Sequence, residues 1–233
     1  MRNRFDRQLK KLNDELIEMG SMIEKSIEKA LVALVTQNVE KAKEILLEKE
    51  IDIPIIGVVK PGAKTAARAT VNKKIGVIAT EGTISSGMYE EFLKSSNPEV
   101  EVYGKSCPLF VPLAEECWLN DPVTKLVAER YLAELKEKQI DTLVLGCTHY
   151  PLLRHTLQKV VGDKVRLVNP AYETAMDLKR ILMQMDMENP DVEGDHGSYS
   201  FYVSDAADKF KQFANSILPY DIETTKQINI EEY

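Results

Sequence analysis

Cysteine, histidine and tryptophan are scarce in this chain: three, three and one among 233 residues. Cys107, Cys117 and Cys147 are odd in number and form no Cys-x-x-Cys pair, which excludes a complete disulfide framework and fits reduced thiols. His149, His155 and His196 are not spaced with them as a zinc site requires, so no metal is expected. No apolar run approaches the roughly 18 residues that cross a bilayer. The first residues also lack the apolar segment of a signal peptide. Membrane insertion is therefore not expected, and a cytoplasmic location is. Basic residues are the minority, 30 Lys and Arg against 37 Asp and Glu, leaving a formal charge of −7. That balance argues against nucleic acid as a partner, because a polyanion rewards a basic face.

What is present suits a globular protein of one large or two small domains. Residues 1–50 contain no proline and one glycine, Gly20. Their apolar positions, Phe5, Leu9, Leu12, Leu16, Met19, Ile23, Ile27, Ala30 and Leu34, step mostly by three and four. A second, shorter run follows Gln37-Asn38, so the segment reads as an amphipathic α-helical hairpin. Pro54 breaks it, lacking an amide donor and forcing its predecessor out of helical geometry. Beyond, apolar strands at 74–79, 99–103, 142–145, 165–168 and 199–203 alternate with helices at 85–95, 122–137, 151–161, 170–185 and 206–218. Such alternation predicts an α/β fold with a mainly parallel sheet covered on both faces.

Ligands of parallel sheets sit beyond the carboxyl ends of the strands, and two ends stand out. After DTLVL comes Gly146-Cys147-Thr148-His149-Tyr150-Pro151. Gly146 permits a tight exit and Pro151 suits a first helical turn. Cys147 near a helix amino end favours thiolate; His149 supplies a proton or a positive charge, and Thr148 a hydroxyl and an amide for a carboxylate. Against this stands the use of free cysteine as a small buried hydrophobe. The other end, Ala79-Thr80-Glu81-Gly82-Thr83, reads first as a helix cap and a turn glycine. A phosphate loop in GVVKPGAKT, residues 57–65, is discounted because Ala63 stands where lysine must follow the second glycine.

The string TLVLGCTHYPLL, residues 142–153, resembles the second cysteine motif of the glutamate racemases, within the aspartate/glutamate racemase superfamily. Its companions follow the family's order: IPIIGVVKPGAKTA from Ile53, KIGVIATEGTISSGMY from Lys74, CPLFVPLAEE from Cys107 and VNPAYETA from Val168. The resemblance implies a flavodoxin-like sheet and cofactor-independent interconversion of L- and D-glutamate for peptidoglycan synthesis, and so for cell wall and cell shape. In that reaction one cysteine removes the α-proton and another, on the opposite face, returns one. Cys147 matches the second cysteine, with His149 and Glu115 as its catalytic partners. Thr148, His149, Thr80 and, more weakly, Thr83 match substrate contacts. Cys107 and Cys117 read as structural, Cys117 standing where the family more often has glycine.

The family's first cysteine belongs to a Cys-Asn-Thr motif preceded by Asp-Ser-Gly, and neither tripeptide occurs in this sequence. Residues 1–50 instead resemble the start of PhoU phosphate-uptake regulators. The expected organisation is a PhoU-like hairpin fragment at 1–50, the second racemase lobe at 53–168, and a segment at 169–233 that in the family completes the first lobe. On that basis the racemase reaction is expected to be impaired. Strand 199–203 is expected to lack partners, which favours self-association or a homodimer. The competing expectation is a non-catalytic phosphate-signalling fragment, or a truncated or chimeric product.

Overall fold

A computed structural model describes Lys10 and residues 56–188, 199–219, 221–222 and 224–229. The chain divides between Ile55 and Ile56, and the architecture below is that of the second unit. The helical hairpin expected for 1–50 lies outside the described residues, Lys10 apart.

Four strands, β1 (Lys74–Ala79), β2 (Glu101–Ser106), β3 (Thr142–Gly146) and β4 (Arg166–Val168), form one sheet in the order β2-β1-β3-β4. Every pairing is parallel. The two central strands are nearly all apolar and buried, as strands covered on both faces must be. Side-chain alternation sends Ile75, Val77 and Val144 to one core with Ala63, Ala66, Tyr89 and Leu93. Ile78, Leu143 and Leu145 go to the other, with Phe110, Leu132, Leu135, Tyr150 and Leu157. Helices α1 (Val59–Ala69) and α3 (Met88–Ser96) build the first layer; α5 (Pro122–Glu137) and α6 (Arg154–Val161) build the second. The α/β class and the parallel sheet are as the sequence implies.

Several boundaries differ from expectation for identifiable reasons. The helix expected at 85–95 begins only at Met88, as α3, after Gly87, whose φ of 68° a glycine adopts without penalty, and the residues before it form a separate short helix, α2 (Glu81–Ser85). The strand expected at 99–103 begins later and runs to Ser106, because Asn97 holds a turn through its side chain to the Glu99 amide at 3.1 Å. The helix expected from Pro151 opens as a 3-10 turn, Tyr150–Leu153, before α6. GVVKPGAKT, which the sequence left without a secondary structure, supplies most of α1. A Cβ at Gly62 would lie 2.8 Å from Pro170, so this glycine serves close packing. Pro170 opens α7 (Pro170–Gln184), which lies against α1.

Two further elements escaped the sequence. The short helix α4 (Phe110–Glu115) carries Pro112 in its first turn, where a missing amide is tolerated. Strand β6 (Thr225–Gln227) has no apolar run to betray it. It pairs in parallel with β5 (Phe201–Val203) across the crossover helix α8 (Ala207–Ile217). Strand 199–203, expected to be without partners, is thus shorter and is paired on one edge. Among the described residues no helix is long and apolar enough to cross a membrane.

Candidate functional site

The sheet order places the site. From β1 the chain crosses to β2 on one side, and from β3 to β4 on the other, so the connections diverge and leave a crevice between β1 and β3. Ala79 and Gly146 are register partners at the carboxyl ends of these neighbouring strands. Thr80 and Cys147 are therefore the next residues out of the sheet, side by side. Gly146 is required by what lies beneath it: an added Cβ would fall 2.9 Å from the Tyr89 ring and 3.0 Å from the Ile78 carbonyl oxygen.

Cys147 is half-buried, and its carbonyl accepts from the Tyr150 amide at 3.2 Å, closing the turn that leads into the 3-10 segment. That turn points His149 back toward the thiol, with Nδ1 3.9 Å from Cys147 Sγ and 3.3 Å from Thr148 Oγ1. The opposite ring nitrogen, Nε2, faces Glu115 Oε1 at 3.7 Å. Glu115 ends α4, and α4 is held in place from below. The buried Tyr150 hydroxyl donates to the Cys107 carbonyl at 2.7 Å, and the Cys107 amide donates to the Ala79 carbonyl at 3.0 Å. Phe110 stands edge-on to both Tyr131 and Tyr150, with ring centres 5.3 Å away. The wall bearing Glu115 and the turn bearing His149 thus share one packed foundation.

Thr80 occupies the amino-cap position of α2 with extended backbone, but its hydroxyl makes no capping bond. It pairs with the Thr83 hydroxyl at 3.0 Å instead. The structure therefore links Cys147, Thr148, His149 and Glu115 as one chain of contacts, and sets Thr80 and Thr83 as a separate hydroxyl pair at the adjoining strand end.

The other two thiols differ from Cys147. Cys107 is fully buried, and burial pushes its thiol up to about 12, only partly offset by Lys105, so it stays protonated at neutral pH. Cys117 is exposed with φ of 58°, the left-handed backbone that explains a preference for glycine at such a position. Its Sγ lies 3.4 Å from Ser216 Oγ on α8.

Three residues at the site were not read from the sequence. Tyr89, buried under Gly146, has its hydroxyl pushed up to about 12, first by burial and then by proximity to Cys147. The one available signal, four residues between Tyr89 and the equally buried Leu93, is that of any core-facing helix. Lys209 and Phe213 arrive from α8: Lys209 Nζ is 3.5 Å from Glu115 Oε2, and the Phe213 ring centre is 6.2 Å from that of His149. No local signal ties residues near 210 to residues near 115 and 149. Among the described residues no cluster of three or more His, Cys, Asp and Glu could hold a metal ion.

A half-exposed thiol beside an imidazole, itself backed by a carboxylate, is an arrangement for moving a proton. The adjacent hydroxyls of Thr80, Thr83 and Thr148 can receive a carboxylate. Comparison with known proteins bears on which proton. The family model for Asp/Glu/hydantoin racemases matches residues 45–177. A glutamate racemase of Thermoanaerobacter sp. (strain X514) is 38% identical over 231 residues, 99% of this chain and 84% of that protein. The glutamate racemase of Geobacter metallireducens is 43% identical over 185 residues, 79% of this chain and 68% of that one. Among solved structures, a glutamate racemase isoform from Bacillus anthracis superposes with a TM-score of 0.73 at 32% identity, over 79% of this chain and 68% of its own. The Francisella tularensis glutamate racemase, solved with D-glutamate, gives 0.71 at 31% identity over 82% and 70%.

Proposed function

The chain belongs to the Asp/Glu/hydantoin racemase family, and from that premise we propose that it binds glutamate beyond β1 and β3 and exchanges the α-proton through Cys147, without a cofactor. The observation that carries this reading is the emergence of Cys147, with Thr148 and His149, in register beside Thr80 at the switch point of the sheet. The glutamate carboxylates are received by the hydroxyls of Thr80, Thr83 and Thr148. The Cys147 thiolate takes the α-proton: the Cα–H bond breaks, an S–H bond forms, and the electron pair spreads from Cα into the adjoining carboxylate. His149, polarised by Glu115, holds or passes the thiol proton. Return of a proton from the same thiol restores the starting enantiomer, and inversion needs a donor on the opposite face.

That donor is where this chain departs from the family pattern. Of its three cysteines, Cys107 is sealed in the core and Cys117 points to α8. We therefore read the chain as a one-faced site: exchange is retained and inversion impaired, so that little D-glutamate would reach peptidoglycan synthesis from this protein alone. Residues 53–168 are read as the lobe that bears the site, and 169–233 as the segment that continues into the other lobe.

Incubation of the whole chain with L- and D-glutamate in heavy water, followed by proton NMR, tests this directly. Loss of the α-proton signal without inversion is expected, falling at least about 10³-fold in Cys147→Ala. Inversion would show that a second base is supplied, from elsewhere in the chain or by a second copy, and would overturn the one-faced reading. Absence of exchange with either enantiomer would overturn the proposal altogether.

A further inference from the structure

Lys209, Phe213 and Ser216 recur at helical spacing and share one face of α8. Each meets the wall of the site: Lys209 at Glu115, Phe213 at His149, and Ser216 at Cys117. We propose that Lys209 is a positioning residue, holding one oxygen of Glu115 so that the other is presented to His149. The proposal rests on reading Glu115 and His149 as the partners of Cys147.

Glu115 is the last residue of a six-residue helix, and its side chain is 41% exposed. Left alone, such a side chain samples several rotamers, and nothing within α4 selects the one aimed at His149. With Oε2 drawn to Lys209 at 3.5 Å, Oε1 is turned to His149 Nε2 at 3.7 Å. The imidazole is fixed from its other side by Thr148 and Cys147, and Phe213 lies along its ring. The result is a relay, Lys209–Glu115–His149–Cys147, whose first member comes from a helix about sixty residues away in sequence from its last. Lys209 itself is 67% exposed, and exposed ion pairs add little to stability. The effect of Lys209 is therefore on geometry and leaves the fold intact.

The test uses the whole chain with Lys209→Met, which keeps the stem and removes the charge, and Lys209→Arg, which restores a cation. For α-proton exchange, kcat is expected to fall about fivefold in Lys209→Met with KM within about twofold, and Lys209→Arg to recover at least about half of it. A second readout does not depend on turnover. The chain has three histidines, so the ring nitrogen NMR signals are few. Those of His149 are expected to move in Lys209→Met, while those of His155 stay. Alkylation of Cys117, whose exposed Sγ touches Ser216 of α8, is expected to keep its rate. Unmoved His149 signals, or a Lys209→Arg variant as impaired as Lys209→Met, would overturn the positioning role. Faster Cys117 alkylation in Lys209→Met would overturn it too, by showing that α8 has come away. If the natural chain exchanges no proton but the His149 signals move as stated, the proposed function fails and the coupling stands.

Discussion

At the amino end of β3, the Asp141 carboxylate receives the Thr70 hydroxyl at 2.6 Å, the Val71 and Asn72 amides at 2.7 Å and the Thr142 hydroxyl at 2.9 Å. At the carboxyl end of the same strand, Cys147 meets His149 at 3.9 Å, and His149 meets Glu115 at 3.7 Å. One end is a charge with its acceptor sites filled, and it fastens the chain between α1 and β1 to the start of β3. The other is a set of ionisable groups held near one another with room left between them. Filled hydrogen bonds to a charge lock backbone, whereas loosely spaced partners can shift to meet a substrate whose own groups complete the bonds. The filled carboxylate thus stands at one end of β3 and the candidate site at the other.

The largest stability effect expected from this contrast is at Asp141. Asp141→Asn keeps the shape but removes the charge that the four donors face, and should lower unfolding free energy by about 2–3 kcal/mol at neutral pH. Burial by itself would raise the Asp141 carboxyl. The bonds from Thr70, Asn72, Val71 and Thr142 outweigh that and hold it below the usual carboxylate range. A lowered folded value means stability that is present above the ordinary carboxylate value of about 4 and is lost as pH falls through the folded value. Denaturant melts at neutral and acid pH should therefore show the natural chain and Asp141→Asn converging in acid. Parallel curves at every pH would break the contrast at its rigid end.

A smaller effect marks where rigidity gives way to the site. Gly146→Ala forces a methyl against Tyr89 and the Ile78 carbonyl, and should cost about 1–2 kcal/mol in the same melts. A neutral result would mean that the packing is as loose under Cys147 as around it. The smallest change should be favourable. Cys117 holds a left-handed backbone at φ 58°, so Cys117→Gly should stabilise by about 0.5–1 kcal/mol. Destabilisation would show that the contact with Ser216 outweighs the backbone strain.

Legibility followed the same division. Buried central strands announce themselves by apolar runs, so β1, β3 and the helix α5 between β2 and β3 were read at or within a residue of their observed limits. β2 is partly exposed and β6 has no apolar residue at all, so the first was displaced and the second missed. At the site, Cys147, Thr148 and His149 were legible because they are adjacent in sequence. Thr80 was singled out because a strand end precedes it, but it read first as a helix cap and gained a substrate role only through the family resemblance. Glu115 came only through the family resemblance, since nothing in its own neighbourhood marks it. Tyr89, Lys209 and Phe213 were not legible, because their importance is a matter of distance across the fold.

Local chemistry is what the amino-acid sequence determined by itself: which segments alternate between strand and helix, which strand ends carry a thiol, an imidazole and hydroxyls, and which motifs the chain lacks. Side-chain period and backbone freedom act over a few residues, and a sequence displays them directly. Tertiary structure alone decided that β1 and β3 are neighbours with Ala79 beside Gly146, that Tyr89 fills the space under Gly146, and that α8 returns to meet Glu115 and His149. Those contacts join residues from about sixty to nearly a hundred positions apart. The pairing of β1 with β3 and the place of Tyr89 follow from burying two apolar faces of one sheet, which folds the chain back on itself.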